Sequence, residues 1–86
     1  MAKYMFYQDP GHGWVKVFVR ELKQLGIDDK ISMYSYRRKD IAYLEEDCDL
    51  STLISALRAK GYTDIKFNES HTNKQSKIRG YDTFRI

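Results

Sequence analysis

The sequence predicts a single small α+β domain: an antiparallel or mixed sheet of about five strands with two helices, in the order ββαββαβ. Three observations carry this. Paired β-forming runs alternate in polarity, two other stretches show helical spacing, and 86 residues without a Pro- or Gly-rich linker leave room for one core. A hydrophobic content of 42% against 31% charged fits a folded chain and excludes a disordered one.

The first hairpin is "KYMFYQ" and "WVKVFV" joined by "DPGHG". In the second run Val15, Val17 and Val19 share one face, and Trp14, Lys16 and Phe18 the other. "DPGHG" reads as turn chemistry. Asp9 bonds the backbone two residues on, Pro10 presets φ, a glycine takes positive φ, and Trp14 anchors the hairpin by burial. "VRELKQLGI" follows as a two-turn helix with Leu22 and Leu25 inward and Gly26 as its stop, but no good cap at its start. After a turn at "DDK", Ile31–Arg37 and Ile41–Glu45 make a second hairpin with "RKD" at the tip; Tyr34 and Tyr36 share a face. "DCDLSTLISALRAKGY" is the clearest helix. Leu50, Leu53, Ile54 and Leu57 form its buried stripe, Asp49 is its expected N-cap and Gly61 its stop. "YTDIKF" is a strand with Ile65 and Phe67 inward. Residues 1–69 are thus read as the domain. Residues 70–86 are a basic extension, either a mobile tail or a loop leading to a short strand in "YDTFRI". The expected core is Phe6, Val15, Val17, Leu22, Leu25, Leu44, Leu53, Ile54, Leu57, Ile65 and Phe67.

Several chemistries find little support. Asp9, His12, Cys48 and His71 lack the close paired spacing of structural zinc, and "EEDCD" lacks the alternating ligands and central glycine of a calcium loop. No metal or cofactor is expected. The acids around Cys48 suppress its thiolate, and a lone cysteine suits a reducing compartment. No apolar run is long enough to span a membrane, and "MAKYMFYQDP" does not read as a signal peptide.

The charge distribution is more informative than the net charge of +3. Residues 58–86 carry seven bases against three acids, an excess of +4. Within them "HTNKQSKIRGY" offers His71, Asn73, Lys74, Lys77, Arg79 and Tyr81 as a binding surface that no core or turn requirement accounts for; Arg37 and Arg38 form a second patch. Arg and Tyr also suit protein interfaces.

The runs "YQDPGHGW", "LGI..KIS.YSY", "YLEEDCD" and "HTN..SKIRGY" together resemble a small family of bacteriophage and mobile-element proteins with no assigned catalytic residues. The resemblance implies an accessory protein acting in the cytoplasm of the bacterial host. Its leading function is then non-enzymatic binding and modulation of a host or antiphage-defence protein. Nucleic-acid binding by the same basic segment is the first alternative, and a small enzyme using Asp9 and His12, with His71, the second. A homodimer formed through a sheet edge is a further expectation.

Overall fold

The computed structural model describes residues 2–85 and is an α+β domain built on a six-stranded mixed sheet. Strand β1 (Ala2–Gln8) pairs antiparallel with β2 (Gly13–Phe18). β2 pairs with β4 (Ile41–Glu45) and β4 with β3 (Tyr36–Arg38), both antiparallel. β5 (Ile65–His71) lies parallel to β1 at one edge, and the short β6 (Asp82–Thr83) lies on β3 at the other. The order is β5-β1-β2-β4-β3-β6.

Helix α1 (Val19–Gln24) links β2 to β3, and α2 (Leu50–Ala59) links β4 to β5. Each link joins strands that run in the same direction, so the chain must cross over the sheet rather than turn back on itself. Both helices use the same face. There Val19 and Leu22 of α1 and Leu53 and Leu57 of α2 bury against Phe6, Val15, Val17, Ala42 and Leu44. The expected core residues Leu25, Ile65 and Phe67 are half-buried around this cluster, and Ile54 is half-buried on α2. Gly26 and Gly61 end the two helices at positive φ, as anticipated. The start of α1 has no side-chain cap, in keeping with its sequence.

The sheet has one strand more than expected. The C-terminal run is the loop to a last strand: Thr72 N–H donates to Gln8 O, residues 77–80 make a 3₁₀ turn, and β6 pairs with β3. The second hairpin is also shorter than its alternation suggests, because β3 holds only Tyr36–Arg38. Residues before it fold instead around Asp49. That carboxylate does not cap α2; it is 2% exposed and accepts hydrogen bonds from Ser32 N (3.0 Å), Ser32 Oγ (2.7 Å) and Ser35 Oγ. Tyr34 is consequently outside the strand and exposed, while Tyr36 is half-buried within it. β5 begins later than "YTDIKF" suggested and runs on to His71, since pairing with all of β1 rewards its extension.

Candidate functional site

Strand alternation assigns the other sheet face. Met5 lies opposite Lys16, Lys16 opposite Tyr43, and Tyr43 opposite Tyr36; Phe18 lies opposite Ile41, and Ile41 opposite Arg38. Lys3 and Lys66, side by side across the parallel pair, continue this face onto β1 and β5. No helix covers it. At one end the C-terminal run seals it: Ile78 buries with Trp14 and Tyr43, and Tyr7, Tyr36, Ile41 and Tyr81 pack around them. Beyond that seal the face is open and basic. Lys3, Lys16, Arg38 and Lys66 stand on it, and Glu45, at the sealed end, is the one acid among the described strand residues facing that way. Lys66 also meets Asp64, just outside β5, at 4.0 Å.

Two aromatic rings on this side that are not fully buried carry an arginine. The Arg20 guanidinium lies 4.6 Å from the centroid of Phe18, which is 41% exposed. Arg38 lies 5.3 Å over Tyr81, with its Nη1 3.4 Å from the tyrosine hydroxyl.

The binding residues expected from sequence do not form one patch. Arg38 and Tyr81 meet as described. Arg37 faces the other way, its guanidinium donating to Lys39 O (2.8 Å) and Arg85 O (2.9 Å) at the β3 edge. His71 is at the far edge of the sheet, 3.6 Å from Glu69. Asn73, Lys74 and Lys77 are exposed along the crossing segment. Arg79 does have a structural role: it donates to Asp9 from Nε (2.6 Å) and Nη2 (2.9 Å) and lies 5.4 Å over the Trp14 ring. Sequence reasoning did not single out Lys3, Lys16 or Lys66. The available signal was "WVKVFV", whose alternation already sets Lys16 beside Trp14 and Phe18.

The "DPGHGW" stretch is resolved into two roles. Asp9 Oδ1 accepts from the N–H groups of Gly11 (3.0 Å) and His12 (2.9 Å), closing the turn. The anticipated positive φ is not used here, since among the described glycines only Gly26 and Gly61 adopt it. Gly13 serves close approach instead, because a Cβ there would overlap the Phe6 ring. The His12 imidazole does not meet the Asp9 carboxylate. Its Nδ1 lies 3.3 Å from Glu45 Oε1, in a recess also lined by Trp14, Tyr34, Asp47 and Cys48. Burial pushes the Glu45 carboxyl up, but hydrogen bonds from Cys48 and His12 outweigh it and leave the group below its ordinary value. The same contact with Glu45, with burial and neighbouring acids, pushes the Cys48 thiol up to about 11. A nucleophilic thiolate is therefore disfavoured, as the flanking acids suggested.

No helix among the described residues is long and apolar enough to cross a membrane. Compared with known proteins, the chain matches no family model, no curated protein and no solved structure, so its function is argued from the geometry of this face.

Proposed function

We propose that this protein is a non-enzymatic binding module that takes up single-stranded nucleic acid on the open face of its sheet. One observation carries the reading: Lys3, Lys16, Arg38 and Lys66 share an uncovered strand face on which Glu45, at the sealed end, is the one acid among the described strand residues. Ammonium and guanidinium groups on such a surface track a phosphate backbone, and aromatic rings beside them stack bases without demanding a sequence. Phe18 and Tyr81 are the stacking positions, since each already holds a planar guanidinium that a base can replace. The resemblance to small phage proteins supplies a setting, an accessory factor acting inside the host cell.

Fluorescence anisotropy with a labelled single-stranded oligonucleotide tests this. Binding should weaken steeply with salt, with a log–log slope of about −0.7 per phosphate neutralised. Lys16→Glu and Lys66→Glu should each weaken it about tenfold, whereas Arg58→Glu, exposed on α2 across the sheet, should change it little. No binding at low salt, or equal effects of all three substitutions, would reject the assignment.

A second reading keeps the host-protein partner expected from sequence. It is favoured by Met33 and Tyr34, adjacent in one loop and 70% and 67% exposed. Large apolar side chains held out together suit a protein interface more than a nucleic acid. A protein partner would be lost on Met33→Ser with Tyr34→Ser and retained on Lys16→Glu; nucleic-acid binding would show the reverse.

A further inference from the structure

We infer that His12, Glu45 and Asp47 form a site for a divalent transition-metal ion, with Zn2+ the ion that best fits the donors. The imidazole and the two carboxylates place one ligand atom each within 4.8 Å of one another. Two donors on one tetrahedral zinc at about 2.0–2.2 Å lie about 3.4 Å apart; His12 Nδ1 and Glu45 Oε1 are already 3.3 Å apart, so only the outer donor needs shifts, of roughly an ångström. Asp47 can supply them, being exposed in the turn after β4.

The convergence is built by the backbone rather than by chance rotamers. Glu46 N–H donates to Gly13 O (2.9 Å), tying the end of β4 to the hairpin loop that carries His12. Ser35 Oγ accepts from Glu45 N–H (2.9 Å), which fixes the strand residue between them. The Glu45 side chain is 9% exposed, so its charge is presented from a rigid, nearly buried base, while His12 at 45% keeps the recess open to solvent. A second feature of the recess is independent of these donors. Trp14 lines it, is 1% exposed, and its Nε1–H has no hydrogen-bond partner. One wall of the recess is therefore a buried ring whose N–H donor is unmet, beside the ligand set.

The donor chemistry selects among metals. Mg2+ and Ca2+ favour all-oxygen shells, whereas one imidazole with two carboxylates suits zinc and its neighbours. Arg79 also lines the recess, but its guanidinium is engaged by Asp9. Cys48 borders the site with its sulfur outside the three-atom cluster. Sequence spacing hid this set: the residues weighed there were Asp9, His12, Cys48 and His71, and the fold gives Asp9 to Arg79 and His71 to Glu69.

Isothermal titration of ZnCl2 into the metal-free full chain tests the site. One equivalent should bind and raise the midpoint of thermal unfolding. His12→Ala and Asp47→Asn, both exposed positions that leave the core intact, should each weaken binding by about tenfold or more. His71→Ala should bind as the parent does. Binding of other than one equivalent, binding indifferent to His12→Ala, equal loss on His71→Ala, or equal affinity for Mg2+ or Ca2+ would overturn the proposal.

Discussion

The Asp9 carboxylate receives the Arg79 guanidinium together with the backbone N–H groups of Gly11, His12 and Ser76. Its side chain is fully buried, so these partners replace water almost completely. The Arg79 hydrogen bonds, against the opposing effect of burial and aided by the backbone donors, hold its carboxyl well below the usual carboxylate range. The native state thus binds this proton more weakly than the unfolded chain. Its contribution is complete above the unfolded pKa of about 4 and is lost as pH falls below that value. Asp9→Asn should be less stable than the parent at pH 7, and the difference should shrink as pH falls below about 4. Urea unfolding between pH 2 and 7 measures this; an undiminished gap at low pH would show that the pair is not the titrating element.

Asp49 shows how an element is shaped from outside itself. Its position before α2 suggests a cap, and loss of a cap costs about 1 kcal/mol. In the fold the carboxylate instead gathers Ser32 and Ser35, and Ser35 O in turn accepts from Phe84 N–H (2.8 Å). Asp49→Ala leaves two hydroxyls and an amide without their acceptor in a closed site. The expected loss is about 3 kcal/mol, and equilibrium denaturation distinguishes it from the smaller loss of a cap. The same cluster explains why β3 is short: Ser32–Ser35 is drawn into a turn toward α2 and cannot extend the ladder. Lys39 then turns the β3–β4 hairpin with φ +55°, at a position where glycine is usual.

At the scale of the molecule, the C-terminal run contributes a buried side chain to each face of the sheet. Ile78, 4% exposed, completes the cluster around Trp14, and Phe84, also 4% exposed, enters the core beneath the helices. A chain ending at Gln75 should therefore lose cooperative unfolding and shift Trp14 emission to the red. Phe84→Ala alone should cost about 3–5 kcal/mol, much of the total for a domain of this size. Retention of a cooperative transition by the shortened chain would show that this run is dispensable. Partner binding is accordingly better tested with surface substitutions than by removing this segment.

Local chemistry alone determined much of the protein. Alternation in "KYMFYQ" and "WVKVFV", the leucine spacing of α2, the glycine stops and the turn role of Asp9 each depend on neighbours within a few residues. Such patterns report which side of an element is apolar, so the α+β class and most of the core were legible. They do not report what the element meets. Arg79 looked free because its partner Asp9 is 70 positions away, and Ile78 looked like part of a polar loop because Trp14 and Tyr43 lie on distant strands. His12 could be matched with Glu45 only once β2 and β4 were in register. The lysines of the open face were visible as the polar half of each strand. Tertiary structure decided that both helices cross the opposite face and leave this one uncovered, because each joins parallel strands and must bury its apolar stripe on the valine-rich side.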